Sequence, residues 1–465
     1  MEFGWLQQGS GKVIAAVPFG LGMPSTRWLA GMAAAALVLG IAFIVVRRRR
    51  RTAAARSQRV RGQAEVLKEE LRLRLSEPAI LFANGIGAAP TMGACEAFEG
   101  DIEAAARTVL QEAGGHRAKA KELLRRRTNG HGAANGKLNG SEAGYWRQLG
   151  ALSLLDNAQD ALAAYGRAAE LAPSDAEAQM LVGVLYLRSG NLTAAENAFR
   201  RQIELGSANG ASFLGYRGHT MLGDVHAARE EHDAAMAAYA EAQREVQALL
   251  ERDPDNAGFR RDLSATCDRI GDMYVQDGRL DAALESYRQS LEIAGALARS
   301  DPHNLAWQHD LSVSHDRIGE ILDKTGDPEA ALASFRQGLA IAEVLTARDG
   351  NNVQWQWDLS ASHDRIGDVL IAEGKLEEAL QSYRRGMAIA EALAKRDPAH
   401  AGWQRDLAVS YHKIGSLEAL ENPGEARELL EKGRAIIARL DGIAARQAQW
   451  RSDLSKFDEV LRTLQ

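Results

Sequence analysis

Hydrophobic positions change their spacing several times along this chain. From Trp28 to Val46 nineteen consecutive residues, WLAGMAAAALVLGIAFIVV, carry no charge. At 1.5 Å per helical residue the run spans about 28 Å, close to the hydrocarbon core of a bilayer, so it predicts one transmembrane helix over 28–46. Five arginines follow at once, residues 47–51, whereas only Lys12 and Arg27 precede the run. The positive-inside rule then leaves residues 1–27 as a short non-cytoplasmic segment and everything after Arg47 in the cytoplasm. A cleaved signal peptide would carry its charge ahead of the apolar run and a small-residue cleavage site behind it, the reverse of this order. Met23 would serve as a start as well as Met1 does. Between Arg47 and Arg74 eleven basic residues face three acidic ones, Glu65, Glu69 and Glu70, which suits a stretch lying on anionic lipid. Nucleic acid is the poorer fit, because no aromatic side chains are interleaved for stacking. Val66, Leu67, Leu71 and Leu75 mark a short amphipathic helix, and Asp101 to Arg126 read as one or two helices broken at Gly114 and Gly115. Together, 47–127 form a basic juxtamembrane and helical region. Residues 128–144, TNGHGAANGKLNGSEAG, have almost no apolar content and predict a flexible linker.

Past the linker the apolar positions recur at helical spacing, and the segments themselves repeat. DLSVSHDRIG, beginning at Asp310, returns 48 residues later as DLSASHDRIG at Asp358, and appears 48 residues earlier as DLSATCDRIG at Asp262; DLAVSYHKIG begins at Asp406. A small residue is followed twelve positions on by Ala and sixteen on by an aromatic at Gly183, Ala195, Phe199; Gly223, Ala235, Tyr239; Gly271, Ala283, Tyr287; Gly319, Ala331, Phe335; and Gly367, Ala379, Tyr383. Ala161, Tyr165 and Pro173 belong to an earlier copy, and around Gly415 the last one is shifted by one residue with Leu430 at the aromatic place. This spacing resembles the tetratricopeptide repeat, a helix–turn–helix unit in which small residues let two helices approach while an aromatic fills the gap beside them. The resemblance covers about 145–465 and implies an all-α, right-handed superhelical solenoid of helical hairpins, an array over 145–449 and a C-terminal capping helix over 450–465. The period departs from the family's 34 residues and becomes 48 from about Phe259, as in the long repeats of kinesin light chains. Fourteen extra residues are about four helical turns, two per helix, which keeps the buried faces in phase. Asn304 is expected to cap a helix from Leu305 to about Lys324 whose core stripe is Trp307, Leu311, His315, Ile318 and Leu322.

Composition adds few constraints. The chain has 465 residues, 46% hydrophobic and 25% charged, which excludes wholesale disorder. Cys95 and Cys267 are too far apart in sequence for a disulfide framework or metal spacing. Ser314, His315 and Asp316 spell a hydrolase triad. At 100° per residue they point three ways, and a copied segment does not assemble a catalytic centre, so His315 and its counterpart His363 are expected to be packed, hydrogen-bonded core residues. Neither a catalytic residue nor a metal site nor a cofactor is expected. GSGK at Gly9 lacks the spacing of a phosphate loop. The remaining chemistry lies on the opposite face of the first helices, where Asp268 and Asp272, Asp316 and Glu320, and Asp364 and Asp368 stand four apart. The resemblance implies that this face lines a concave groove for partner peptides or helices, so the six form a candidate acidic row for a basic partner segment. Exposed pairs contribute about 0.2–1 kcal/mol each, so the row alone falls short of the roughly 8 kcal/mol of micromolar binding. The expectation is a non-enzymatic, single-pass membrane scaffold or adaptor, its bulk cytoplasmic, at a bacterial inner membrane. The alternatives are a self-assembling structural organiser and a regulatory subunit of a separately encoded signalling or secretion system.

Overall fold

A computed structural model of the chain describes residues 116–130, 139–207, 212–443 and 448–464, with short pieces at 66–67, 100–105, 108 and 113. The charge-free run 28–46 and the arginines behind it lie outside the described residues. Among the described helices none is long and apolar enough to cross a membrane. The chain divides into Met1–Gln63 and Ala64–Gln465, and the described residues all belong to the second unit. Every regular element described in it is helical. Helix α1 is Arg117–Gly130, and seven hairpins follow: α2 Asn139–Leu154 with α3 Ala158–Leu171, α4 Ala176–Arg188 with α5 Leu192–Ser207, α6 Phe213–Ala228 with α7 His232–Arg252, α8 Ala257–Gln276 with α9 Leu280–Ser300, α10 Leu305–Lys324 with α11 Pro328–Arg348, α12 Val353–Ala372 with α13 Leu376–Arg396, and α14 Ala401–Glu418 with α15 Pro423–Ile443. The last helix, α16, is Ala448–Thr463. Each helix packs chiefly on the one before and the one after it in the chain, the contact pattern of a repeat array.

Each hairpin closes on the small residue and aromatic of the sequence pattern. A methyl group built on Gly271 would lie 2.5 Å from the ring of Tyr287, and one on Gly319 2.7 Å from Phe335. Only a bare Cα allows that approach. Gly183 meets Phe199, Gly223 meets Tyr239 and Gly367 meets Tyr383 in the same way. The alanines twelve residues after these glycines, Ala195, Ala235, Ala283, Ala331 and Ala379, are all fully buried. At the two ends the spacing is fifteen: Gly150 lies against Tyr165, and Gly415 against Leu430. Burial of one such aromatic side chain stabilises by about 1.5–3 kcal/mol, and the close fit adds the dispersion contacts of both helices.

Helix ends follow from local chemistry. Asn256, Asn304 and Asn352 accept from the backbone N–H three residues on, and His400 does so through Nδ1 to Trp403, so α8, α10, α12 and α14 all start on a side-chain cap. The turns inside the hairpins need a left-handed residue. Gly190, Gly278, Gly326 and Gly374 supply it, and Glu230 takes φ 60° in the corresponding place. The first helices lengthen from 13 residues in α4 to 20 in α8, two turns as the 48-residue period requires, and α7 has already reached 21. Of the expected linker over 128–144, residues 131–138 lie outside the described residues. Helix α1 runs through Gly130 and α2 starts at Asn139, because Glu142 and Ala143 are buried in the packing of α2. At the other end Trp450 and Phe457 of α16 pack in one cluster with Leu430, Ile437 and Leu440.

Replacing Gly319 by Ala should destabilise the chain by about 1–3 kcal/mol through overpacking, read as a lower denaturant midpoint, and adding Phe335→Leu, the residue type found opposite Gly415, should recover much of the loss. Glu230→Gly should raise the same midpoint by about 1 kcal/mol, since it removes the left-handed strain of a residue that has a Cβ.

Candidate functional site

The repeated decapeptide is a list of contacts, and the structure assigns nearly every letter. In DLSVSHDRIG, Ser312 donates to the Gly338 carbonyl at 2.9 Å, as Ser360 does to Gly386, tying the two helices of a hairpin. Ser314 bonds back to the Asp310 carbonyl at 3.0 Å. Asp316 instead accepts from Ser362 of the next repeat at 3.1 Å, and Gly319 faces Phe335. Ser314, His315 and Asp316 therefore diverge. His363 is 5% exposed, and burial with the nearby Arg385 charge lowers its pKa to about 4. His315 is only half-buried, its pKa is lowered by desolvation, and its imidazole has no hydrogen-bond partner among the described residues, so the expected hydrogen bond is absent. Most of the expected core stripe is likewise only partly closed: Ile318 is buried, whereas Trp307, Leu311 and Leu322 are partly open, and Ser312, Ser314 and Asp316 take closed positions.

The six acidic residues line up along α8, α10 and α12, and their exposure runs from the buried Asp316 to the exposed Asp368. Asp316 is 7% exposed, and burial raises the carboxyl pKa of Asp268, Asp316 and Asp364 to about 6 in each case. The face they occupy looks at the next first helix, which carries a cation 45 residues further on. Asp224 pairs with Arg269 at 3.0 Å, Asp272 with Arg317, Glu320 with Arg365 at 2.7 Å and Asp368 with Lys413 at 2.8 Å. Tyr239, Tyr287 and Tyr383 donate to Asp224, Asp272 and Asp368 at 2.7, 2.6 and 2.5 Å, so the ring that closes a hairpin also holds the acid that joins it to the next. At the repeat where Phe335 has no hydroxyl, the acid is the longer Glu320. With both partners of Asp224 and Arg269 almost fully buried, breaking that pair would cost about 3–5 kcal/mol.

A second ladder links the starts of the same helices. Arg261 donates through Nη2 to Asp310 at 2.7 Å, His309 Nε2 meets Asp358 at 2.7 Å, Trp357 Nε1 donates to Asp406 at 2.8 Å, and Arg405 Nε donates to Asp453 at 2.9 Å. The acid is constant while its donor changes from Arg to His to Trp to Arg. Where the donor is Trp357, 38% exposed, a cleft of about 270 Å³ opens between α12, α13 and α14. Trp357, Trp403, Asp364, Asp368, Asp406 and Lys413 line it, above Leu393. Of these, only Asp364 and Asp368 belong to the candidate row. The two tryptophans and Asp406 escape a sequence reading because they lie outside the expected acidic face; the signal for them is the column Arg261, His309, Trp357, Arg405, which keeps the 48-residue period while changing chemistry.

The ladder's histidine gives a sign for pH. Burial disfavours the His309 imidazolium, but the hydrogen bond and charge of Asp358, with Asp310 beside it, outweigh burial and the opposing Arg261, and its pKa is raised. A raised folded-state pKa contributes stability that is fully present below the unfolded value of about 6.5 and is lost as pH rises through the folded value. The denaturation midpoint of the natural chain should therefore exceed that of His309→Gln by more at pH 6 than at pH 8; a gap that widens with pH contradicts this pairing.

Sequence models of the tetratricopeptide repeat match residues 155–209, 266–301 and 314–344. Among curated proteins none matches the chain by sequence. Similar solved structures include the apo form of RapI, 15% identical over 62% of this chain and 95% of that one, with a TM-score of 0.43. A kinesin light chain with nearly identical tetratricopeptide-like repeats from Podosopora anserina is 19% identical over 48% of this chain and 98% of its own, with a TM-score of 0.36. A signal transduction ATPase with a tetratricopeptide repeat sensor from Pyrococcus horikoshii is 12% identical over 74% of this chain, with a TM-score of 0.43, and this chain spans 52% of its length. The three matched segments and the hairpins that contain them establish that the chain carries tetratricopeptide repeats.

Proposed function

We propose that this chain is a non-enzymatic scaffold that binds partner proteins along the face of its first helices, and that a helix over residues 28–46 anchors it in a membrane with the array on the cytoplasmic side. The cleft between α12 and α14 carries the first part. It is the place on this face where an exposed tryptophan, Trp357, stands beside an exposed carboxylate, Asp368. Elsewhere on that face Asp224, Asp272 and Glu320 are matched by cations of the neighbouring repeat, so the acidic row as a whole is a weak lure for a basic partner, and recognition is concentrated at the cleft. Asp268, Asp272, Asp316 and Glu320 then serve mainly to hold the array in register, while Asp364 and Asp368 keep a part in binding. A tryptophan beside charged groups that are already fixed is a typical binding hot spot, since its indole is rigid and gains much from losing water. The membrane part rests on the charge-free run and on the arginines at 47–51, whose position favours a cytoplasmic array. A bacterial inner membrane fits that arrangement.

One experiment reads both parts. With a photo-crosslinking residue at Val409, inside the cleft, the full chain in cells should give protein adducts that sediment with membranes, and the same residue at Val344, exposed on α11, should not. Equal adducts from both positions would contradict the cleft, and a chain recovered in the soluble fraction would contradict the anchor.

A further inference from the structure

From α8 to α12 each first helix carries two acids, and the next first helix faces them with one cation. Arg365 is forked and serves two acids at once: Nε reaches Glu320 at 2.7 Å and Nη1 reaches Asp316 at 3.2 Å, while Ser362 adds a bond of 3.1 Å to the same Asp316 oxygen. One repeat further, those places are held by Lys413 and Ser410. The ammonium of Lys413 is a single point of charge and goes to Asp368 at 2.8 Å. Ser410 is 1% exposed and its hydroxyl has no partner; Oδ1 is buried without a partner in Asp268, Asp316 and Asp364 alike, so the difference lies in the Ser and Arg donors that reach Oδ2 of Asp316. Asp364 thus lacks counterparts for both donors that hold Asp316. Arg365 is engaged by the preceding repeat, and Arg405 is turned away to Asp453 at 2.9 Å.

The space for the missing group is the cleft. Asp364 lines it, with Trp357 and Trp403 in the walls; Arg365, Arg405 and Lys413 also border it, each engaged with an acid. Trp357 occupies the column in which the other repeats place Arg261, His309 and Arg405, so this stretch of the face has an aromatic surface where its neighbours have a cation or a titrating ring. Its indole N–H is fixed on Asp406 at 2.8 Å, which leaves the ring face for stacking. A planar guanidinium can lie on that face and donate edge-on to a carboxylate, whereas an ammonium cannot do both with one geometry. We propose that the cleft receives the guanidinium of an arginine side chain from a partner protein, stacked on Trp357 and paired with Asp364 in the place that an arginine at 413 would have served. This rests on the reading of the array as a partner-binding surface and gives that partner its chemistry.

The test uses the full chain in detergent micelles, labelled with 5-fluorotryptophan and titrated with acetyl-Gly-Arg-Gly-amide and with the lysine and citrulline versions of the same peptide. The arginine peptide should shift, saturably, the resonance that disappears in Trp357→Phe, and the other two should bind at least about tenfold more weakly. Asp364→Asn should weaken the arginine peptide by about tenfold or more. Lys413→Arg, which supplies the missing fork from within the chain, should weaken it comparably while raising the denaturation midpoint. Citrulline or lysine peptides binding within about twofold of arginine, or undiminished binding by Lys413→Arg, would overturn the proposal. Should that happen while the Val409 crosslinks persist, the scaffold reading stands and the arginine site falls. Arginine binding without Val409 adducts would sustain the site and remove the scaffold reading instead.

Discussion

A glycine set against an aromatic ring is the contact on which the array depends. Two helices bearing ordinary side chains pack with their axes 8–10 Å apart, and the space between them is filled from both sides. Here one side contributes nothing beyond its backbone, so the ring at Tyr287 or Phe335 fills the space alone and fixes the register of its hairpin to one residue. The fully buried alanine four positions before each ring admits the same close approach. Because the ring is most often tyrosine, its hydroxyl emerges on the far side of the contact and meets the acid at the end of the first helix. Register inside a hairpin and register between hairpins are in this way set by one side chain.

The charged ladders extend that logic along the chain. A buried ion pair is a poor source of net stability, because desolvation offsets most of the attraction, but a mismatched one is very unfavourable. Pairs such as Asp224 with Arg269 therefore act mainly against slippage: shifting one repeat against the next would leave several charges buried and unpaired at once. The same economy explains why the acids give so little free potential to a visitor. Where Lys413 replaces the forked arginine and Trp357 replaces a basic residue, the lattice opens, and the open place is the cleft.

Much of the fold is legible in the sequence because glycine, alanine and aromatic keep fixed offsets through five copies, and nothing but a packed hairpin asks for that combination. The helix over Leu305–Lys324, with its Asn304 cap and added turns, is legible for the same reason. The buried Ser312 and Asp316 are not, since hydropathy assigns both to water and only their partners, Gly338 on the neighbouring helix and Arg365 of the next repeat, hold them inside. The ladders are half visible. Arg269, Arg317 and Arg365 stand beside the acids in sequence, which suggests partial neutralisation, but they reach the acids of the preceding repeat, and that relation of 45 residues appears only once the hairpins are stacked. The cleft is invisible for a related reason, as Trp357 comes from α12 and Trp403 and Asp406 from α14, and only the stacking of hairpins brings them together.

Hairpins of this array are coupled only to their neighbours, through the ring contact and the cross-repeat pairs. Hydrogen exchange on the full chain carrying Asp272→Asn, which unpairs Arg317 and loosens the Tyr287 hydroxyl, tests that coupling most directly. Exchange should quicken in α8, α9 and α10 and return to the natural rate by α13 on one side and α5 on the other. Faster exchange spread evenly from α2 to α15, or none in α10, would contradict nearest-neighbour coupling.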